Sequence, residues 1–178
     1  MTDADGPQRW LLVGSGGAGK STLARTMAER LGLPLIHLDR EYWGPKWAKP
    51  ATEEWRARAE ALAAGDRWVM DGNYSGTLDV RMPRAQVVVL LDMSPWRCVW
   101  RVVKRRWLDR ERPDIPEDCD DQLNWEFIHW IVSYRRRSLP RVLRRLDEHP
   151  HLDIVRLRRP AEVDAFVESL GSKSYIWR

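Results

Sequence analysis

The sequence predicts an α/β fold in which one five-stranded parallel sheet lies between helices. Apolar runs with the length of buried strands alternate with segments of helical periodicity along the chain. The run at 85–91 is continuous and rich in valine, which is typical of a parallel strand buried on both faces. With 178 residues and no internal repeat or linker, the chain has the length of one domain. We therefore expect a single three-layer domain over residues 1–178.

The first half of the chain supplies three strands and two helices. The predicted strands lie at residues 10–13, 33–38 and 67–70, and the predicted helices at residues 22–31 and 53–64. Thr52 precedes the second helix and is its expected N-cap, because a threonine hydroxyl can accept from a free N–H of the first turn. The second strand ends at Asp39 and the third at Asp71, so each places a carboxylate at a strand end.

The second half supplies two more strands and four helices. The strands are predicted at residues 85–91 and 152–157, and the helices at residues 95–107, 122–137, 138–148 and 161–170. The first of these helices carries an apolar stripe with helical spacing, at Trp96, Val99, Trp100, Val103 and Trp107. We expect this stripe to face the core. Ser138 is expected to cap the third helix, with Pro140 in its first turn.

One motif lies between the first strand and the first helix. Its residues are Gly14, Ser15, Gly16, Gly17, Ala18, Gly19, Lys20, Ser21 and Thr22. The pattern G-x-x-x-x-G-K-S in a strand–loop–helix context lets backbone N–H groups surround a polyphosphate at a helix N-terminus. Lys20 is expected to reach the β- and γ-phosphates, and the Ser21 hydroxyl to bind Mg²⁺. The sequence therefore predicts a phosphate-binding loop (P-loop) for a nucleoside triphosphate.

The ends of four predicted strands carry residues suited to this chemistry. Gly14, Asp39, Asp71 and Asp92 each follow directly on a strand. Ligands of parallel α/β sheets bind beyond the carboxyl ends of the strands, so we expect all four residues to face one crevice. Asp39 is the candidate for binding or deprotonating an acceptor hydroxyl.

Composition narrows the class of protein. The formal net charge is +4, and seven basic residues lie between Arg97 and Arg112, followed by a second basic cluster at 135–137. Such patches attract phosphate, whether on a nucleotide or on a nucleic-acid backbone. No apolar run approaches the ~20 residues of a membrane span, and Cys98 and Cys119 have no metal-binding spacing. We expect a reduced, cytoplasmic setting and no membrane partner.

Three further segments accompany the P-loop. They are Leu38-Asp39 with Tyr42-Trp43, Asp71-Gly72-Asn73-Tyr74, and the arginine-rich stretch after Asp92. Together these segments resemble the adenylate-kinase-like small P-loop proteins, and within them the topology modulation (flagellar-regulation-type) proteins. The resemblance extends from Leu11 to Phe166. It implies a three-layer P-loop NTPase fold with a lid near residues 107–121, and an ATP-dependent kinase that uses Mg²⁺.

The resemblance implies roles for the residues that match adenylate kinases. Asp71 matches their aspartate that binds a water of Mg²⁺, whereas the arginine that follows it in those enzymes is missing here. Arg81 is the candidate for the missing cation on the acceptor side. Arg101 fits the arginine that stacks on adenine, and Arg105 and Arg106 fit the pair that follows it.

Two more arginines complete the expected catalytic set. Arg135 and Arg136 resemble the arginines that clamp the transferring phosphoryl group when the lid closes. An arginine suits this role because its planar fork binds phosphate oxygens bidentately. The expected catalytic residues are therefore Lys20, Asp39, Arg105, Arg135 and Arg136.

The acceptor is expected to bind in the region of residues 39–81. Asp39, Asp71 and Arg81 are candidate contacts there, together with Trp43 and Tyr74. Aromatic rings in this region can stack on a base or sugar ring, or can simply pack under the helix at 53–64. The Thr-Gly pair that precedes the acceptor aspartate in adenylate kinases is replaced here by histidine and leucine, so the resemblance does not extend to AMP as the acceptor.

The sequence leaves two functions open. One is ATP-dependent phosphoryl transfer to a small hydroxylated acceptor, with a nucleoside or nucleotide favoured. The other is a regulatory NTPase associated with nucleic acid, in which the basic patches touch DNA. We favour the kinase, because a phosphate-clamping lid accounts for the arginines and the sequence contains no signature of a nucleic-acid-binding fold.

Overall fold

The computed structural model describes residues 6–108 and 124–170, and it confirms the α/β fold. The strands are β1 Arg9–Gly14, β2 Leu35–His37, β3 Trp68–Asp71, β4 Val87–Leu91 and β5 Asp153–Leu157. They form one parallel sheet in the order β2-β3-β1-β4-β5. Because β1 is the central strand, the loop that follows it opens at the middle of the carboxyl edge.

The helices of the described residues cover both faces of the sheet. They are α1 Lys20–Leu31, α2 Leu38–Tyr42, α3 Thr52–Ala63, α4 Leu78–Arg81, α5 Pro95–Leu108, α6 Trp125–Arg137, α7 Leu139–Asp147 and α8 Pro160–Ser169. The sequence did not predict the short helices α2 and α4. Asp39 consequently lies in the first turn of α2 and not at the end of a strand. Helix α1 begins at Lys20, two residues before the predicted start.

Alternation along β1 divides the core into two clusters. Trp10 and Leu12 belong to the cluster formed with α1, α5 and α8. Leu11 and Val13 belong to the opposite cluster, formed with α3, α4 and α7. Since successive side chains of a strand point to opposite faces, a continuous apolar run in the sequence is what a strand covered on both faces requires. The three-layer prediction is confirmed.

The apolar stripe predicted for α5 is not buried, so this prediction is wrong. Its tryptophans are largely exposed: Trp96 (74%), Trp100 (64%) and Trp107 (81%). Cys98 and Val102 reach the core instead, from another face of the helix. This face packs on Gly17 of the P-loop, where an added Cβ would collide with the Cys98 carbonyl oxygen and approach Val102. Only small side chains permit so close an approach, and the tryptophans therefore point outward.

The helix caps also differ from those predicted. Ala51 is the N-cap of α3, and Thr52 is its first residue. Ser138 precedes α7 in a helical conformation and its side chain caps nothing. Asn124 does cap α6, since its side-chain oxygen accepts from the N–H of Phe127 at 2.8 Å.

Some predictions fall on residues outside the described ranges. The proposed lid at 107–121 lies there apart from its first two residues, as does Cys119. Among the described helices, none combines the length and the apolar composition needed to cross a membrane.

Candidate active site

The P-loop joins β1 to α1, and α5 packs against its glycines. Gly17 and Gly19 have φ angles of +71° and +98°, a backbone conformation that residues with a Cβ rarely adopt. A Cβ on Gly19 would lie 3.2 Å from Nη1 of Arg101. The glycines are therefore required both by the turn of the loop and by its contact with α5.

Lys20 and Ser21 occupy the first turn of α1, at the positive end of the helix dipole. Nζ of Lys20 donates a hydrogen bond of 3.0 Å to the carbonyl oxygen of Ser15, across the loop. The hydroxyl of Ser15 is buried and has no hydrogen-bond partner among the described residues. The P-loop thus combines a cation, a hydroxyl without a partner among the described residues and the N–H groups of a helix start, a combination that favours an anion.

A cavity of about 440 Å³ opens beside the P-loop, between α1, α5 and α8. Arg101, Arg105, Thr22 and Val163 are among its lining residues. Nη1 of Arg101 donates to the carbonyl oxygen of Ala18 at 3.1 Å, which fixes the guanidinium against the loop. The volume lies in the range of small-molecule pockets, and guanidinium groups bind both phosphate and aromatic faces. The structure thereby brings Arg101, predicted to bind the nucleotide, and Arg105, predicted to be catalytic, to one pocket next to the P-loop.

Asp92, directly after β4, is the centre of an ion-pair cluster. Its buried carboxylate accepts from Nε of Arg135 and from Nη2 of Arg156, both at 2.8 Å. Burial by itself would raise the pKa of Asp92, but the hydrogen bonds from the two arginines outweigh it and hold the pKa below its ordinary value. Arg135 is 44% exposed and Arg136 is also exposed. Their action on a phosphoryl group stays a prediction.

Asp71 ends β3, next to the central strand, and is buried. Its Oδ2 atom lies 3.2 Å from Nδ1 of His37, whereas Oδ1 has no hydrogen-bond partner among the described residues. A hydrated cation would satisfy this buried oxygen, which is otherwise unfavourable. The described residues contain no group of three or more metal-binding side chains. Mg²⁺ keeps several of its waters and is usually bound through one or two protein ligands, so the unpartnered oxygen of Asp71 is compatible with the predicted role of this residue.

Asp39 is held by Tyr74, from the loop that follows β3. The Tyr74 hydroxyl donates to Oδ1 of Asp39 at 2.6 Å. Burial, and then the nearby carboxylate, raise the pKa of Tyr74 well above its ordinary value, so the phenol stays protonated and acts as the donor. The structure therefore brings together two residues that the sequence analysis assigned separately to the acceptor side.

Tyr74 itself belongs to a cluster of five aromatic rings, with centroid distances from 4.6 to 5.1 Å between neighbouring rings. This aromatic cluster consists of Tyr42, Trp43, Trp47, Trp55 and Tyr74. Trp55 of α3 is buried and forms its inner end, so part of the cluster packs under that helix. Trp43 and Trp47 are only half-buried and form its outer end.

Arg81 is not available to an acceptor phosphate, contrary to the sequence-based assignment. The residue is fully buried, and its guanidinium donates to the carbonyl oxygens of Gly72, Asn73, Tyr74 and Thr77 at 2.8 to 3.2 Å. Burial lowers the pKa of Arg81 to about 9. The assignment rested on spacing after Gly72, but the intervening residues form a closed turn and the helix α4, which direct the side chain inward.

The sequence analysis missed other residues near the P-loop. Oδ1 of Asn73 accepts from the N–H of Gly14 at 3.3 Å, which links the loop after β3 to the P-loop. Phe127 and Trp130 of α6 stack on each other and cover Gly16. Asn73 belongs to the segment Asp71-Gly72-Asn73-Tyr74, and the family resemblance of this segment was the sequence signal that could have identified Asn73. No local signal identifies the aromatic pair, because its contact with the P-loop spans more than a hundred residues of sequence.

Comparisons with solved structures show the same fold in shikimate kinases. The enzyme from Bacteroides thetaiotaomicron has a TM-score of 0.55 and 20% identity, covering 93% of this chain and 97% of that one. The enzyme from Acinetobacter baumannii, solved in complex with shikimate, has a TM-score of 0.57 and 16% identity, covering 91% and 89%. The enzyme from Aquifex aeolicus has a TM-score of 0.54 and 16% identity, covering 91% and 95%.

This chain shares the fold of these shikimate kinases. No family model matches the sequence, and no curated protein matches it. At 16–20% identity the likeness concerns the fold, and the chemistry has to be argued from the residues themselves.

Proposed function

We propose that the protein is an ATP-dependent kinase that phosphorylates a hydroxyl of a small acceptor. The observation that carries this proposal is the register of three neighbouring strands. His37 of β2 and Leu12 of β1 both pair with Asp71 of β3. Asp39 lies two residues after His37, and Gly14 lies two residues after Leu12. This register brings the backbone near Asp39, Asp71 and Gly14 to one edge of the sheet, which supports a shared site in which we assign Asp39 to the acceptor and Asp71 to Mg²⁺.

The nucleotide side of the proposed site consists of the P-loop and the cavity beside it. Lys20 and the loop N–H groups bind the β- and γ-phosphates, and Arg101 and Arg105 bind the nucleoside part and its phosphates. Ser21 and Asp71 would hold Mg²⁺, which neutralises phosphate charge when bound. Each residue type matches the chemical group that it has to bind.

The general base of the proposed reaction lies on the side of the site where the phosphoryl acceptor binds. The carboxylate of Asp39 takes the proton of the acceptor hydroxyl. The oxygen of that hydroxyl forms a bond to the γ-phosphorus at the same time. The bond from this phosphorus to the bridging oxygen breaks, and ADP leaves with that oxygen. Lys20 and the arginines Arg135 and Arg136 offset the charge that spreads over the transferring group.

The proposal is tested by ADP release from ATP against a panel of acceptors. The panel contains nucleosides, nucleotides and hydroxylated metabolites, including shikimate, which the Acinetobacter enzyme binds. Lys20→Ala is the blank, since it removes the charge on the phosphates and should lower turnover by at least ~100-fold. Lys104→Ala removes an exposed lysine of α5 and is the matched control. If no acceptor raises the rate above the blank, the chain is not a kinase of these compounds.

A regulatory NTPase that binds nucleic acid is the second candidate, favoured by one observation. The outward face of α5 exposes the tryptophans 96, 100 and 107, and it interleaves them with exposed Arg97, Lys104 and Arg106. Tryptophans that stack on bases and cations that bind phosphates are the features of single-strand binding surfaces. A salt titration of oligonucleotide binding tests this candidate, because phosphate contacts produce a steep fall in affinity with salt. Binding that is absent, or unaffected by salt, would exclude it.

A further inference from the structure

A buried pair of side chains, His37 and Asp71, lies at the ends of two neighbouring strands. His37 ends β2 and pairs in register with Asp71, which ends β3. The two side chains are 9% and 5% exposed. Directly after them the two backbones approach closely, because a Cβ added to Gly72 would lie 2.7 Å from Cβ of Leu38. The fold therefore fixes the imidazole beside the carboxylate.

The hydrogen bond between these two side chains has a defined direction. Nδ1 of His37 lies 3.2 Å from Oδ2 of Asp71. An ionised carboxylate only accepts hydrogen bonds, so the proton of this bond is carried by Nδ1 of the imidazole. His37 is also the N-cap residue of α2, but its side chain makes no capping hydrogen bond. Its Nδ1–H group is therefore directed to Asp71 and not to the helix that His37 precedes.

The pair leaves one oxygen of the Asp71 carboxylate without a partner. Oδ1 has no hydrogen-bond partner among the described residues, and a buried carboxylate oxygen in this state is unfavourable unless another group pairs with it. The backbone pairing from Leu35 to His37 already joins β2 to β3. The stability of the sheet therefore does not require a buried carboxylate at this position, and a ligand that pairs with Oδ1 accounts for it better.

The position of Asp71 relates this oxygen to the nucleotide. On the other side of β3, Leu12 of β1 pairs with Asp71, and the N–H of Gly72 donates to the carbonyl oxygen of Leu12 at 3.3 Å. The P-loop begins two residues after Leu12, at Gly14. Protein groups that serve a metal ion are themselves hydrogen-bonded by neighbouring residues, which set their orientation. The imidazole of His37 is placed to do this for Asp71.

From these observations we infer that His37 is a positioning residue for the Mg²⁺ site of the protein. Its Nδ1–H group binds Oδ2 of Asp71 and fixes the rotation of the carboxylate. Oδ1 is thereby presented to a water of the Mg²⁺ that accompanies ATP. The imidazole acts through Asp71 and contacts neither the cation nor the nucleotide. This inference rests on the proposed function, in which Asp71 is assigned to Mg²⁺.

Calorimetric titration of the full chain with ATP tests the inference without an acceptor. Each protein is titrated once with Mg²⁺ and once with EDTA, and Kd in EDTA divided by Kd in Mg²⁺ gives the Mg²⁺ ratio. His37→Leu should lower the Mg²⁺ ratio about tenfold, because loss of a group that orients a metal-binding side chain reduces metal affinity by this order. Its Kd in EDTA should stay within about twofold of the wild type, since the P-loop still binds the phosphates. An unchanged Mg²⁺ ratio overturns the inference.

Two further variants separate positioning from packing. His37→Asn retains an N–H donor at the position of Nδ1 and should keep the Mg²⁺ ratio within about threefold of the wild type, whereas His37→Gln places its amide one bond farther away and should resemble His37→Leu. His129→Leu, at an exposed histidine of α6, is the control. Thermal unfolding verifies that each variant folds; if His37→Leu does not, the contrast between the asparagine and glutamine variants decides. Equal Mg²⁺ ratios in those two variants contradict the inference.

Asp71→Ala distinguishes failure of the inference from failure of the proposed function. The Mg²⁺ ratio of this variant should fall about tenfold or more, and the addition of His37→Leu should cause no further fall, because His37 acts through the carboxylate. A further fall overturns the inference. If Asp71→Ala keeps the wild-type ratio, the inference is wrong, while the kinase activity is still decided by the acceptor panel. If the wild type does not bind ATP, the proposed function is wrong and the inference falls with it.

Discussion

The hydroxyl of Tyr74 donates a hydrogen bond of 2.6 Å to Oδ1 of Asp39. The two residues lie in different connections of the sheet, one after β3 and one in α2. Neighbouring parallel strands bring them together, because β2 pairs with β3 in register from Leu35 to His37. The contact orients the carboxylate that we propose to accept the proton of the acceptor hydroxyl.

Tyr74→Phe should lower kcat while leaving ATP binding unchanged. A hydrogen bond donated to a carboxylate stabilises its charged form, so without this bond Asp39 is both less ordered and easier to protonate. We expect kcat to fall about 10- to 100-fold and the acidic limb of the pH–rate profile to move to higher pH. Tyr42→Phe, in the same aromatic cluster, is the control. An unshifted pH profile would show that Tyr74 does not act through Asp39.

Arg101→Ala should weaken ATP binding more than Arg97→Ala. Arg101 contacts the P-loop at the carbonyl oxygen of Ala18, whereas Arg97 is exposed one turn earlier on the same helix. Loss of a charge-assisted contact with the nucleotide corresponds to a rise in Kd of about tenfold or more. Calorimetric titration with ATP and Mg²⁺ measures both variants. Equal ATP affinities of the two variants would show that Arg101 does not contact the nucleotide.

Gly17→Ala should destabilise the fold, whereas Gly76→Ala should not. At Gly17 the φ angle is positive and an added Cβ would collide with Cys98 of α5; at Gly76 nothing lies within 4 Å. Overpacking and backbone strain together predict a loss of about 2 kcal/mol or more in the free energy of unfolding. Urea titration of both variants measures the difference. A neutral Gly17→Ala would mean that α5 does not pack on the P-loop as described.

Asp92→Asn should lower stability in a pH-dependent manner. The folded-state pKa of Asp92 lies below its ordinary value, so its charge contributes stability above the unfolded-state pKa of about 4. This contribution is lost as the pH falls through the lower, folded-state pKa. We expect a loss of about 2 kcal/mol at pH 7, and a smaller difference from the wild type as the pH falls below about 4. Denaturant unfolding of both proteins across this pH range measures the difference in the free energy of unfolding. If this difference is constant with pH, the stabilisation does not come from the charge of Asp92.

The fold could be predicted from the sequence because its signals are local. Continuous apolar runs identify β1 and β4 without any knowledge of how the helices pack. The P-loop pattern identifies the strand before it and the helix after it. The order of the strands, β2-β3-β1-β4-β5, could not be predicted in this way, because parallel connections are compatible with several orders. The short helix α2 escaped prediction because its five residues are too few to show helical periodicity.

The candidate site could be predicted only in part, because long-range packing decides which side chains are exposed. The periodicity of α5 correctly indicates a helix, but Cys98 and not Trp100 lies against Gly17. The spacing of Arg81 from Gly72 was compatible with a phosphate contact, but four carbonyl oxygens draw the guanidinium inward. Residue type and spacing identified the chemistry available, and only the folded backbone shows where each group points.

Asp39→Asn is the prediction that separates the two sides of the proposed site. Asparagine keeps the size of the side chain and an oxygen that can accept from Tyr74, but it has neither the charge nor the basicity of a carboxylate. Since Asp39 lies after β2 and the nucleotide cavity lies beyond β1 among α1, α5 and α8, the change should leave ATP affinity nearly unaltered. Removal of the general base should lower kcat with the acceptor by ~10²–10⁴.

Steady-state kinetics with the best acceptor, and calorimetric titration with ATP and Mg²⁺, measure the two effects in Asp39→Asn separately. Thermal unfolding of the variant verifies that its fold is intact. The decisive comparison is with Lys20→Ala, which should lose activity by affecting the phosphates. If Asp39→Asn instead weakens ATP binding and preserves turnover, Asp39 belongs to the nucleotide side. The acceptor would then have to bind elsewhere than between α2 and the loop that carries Tyr74.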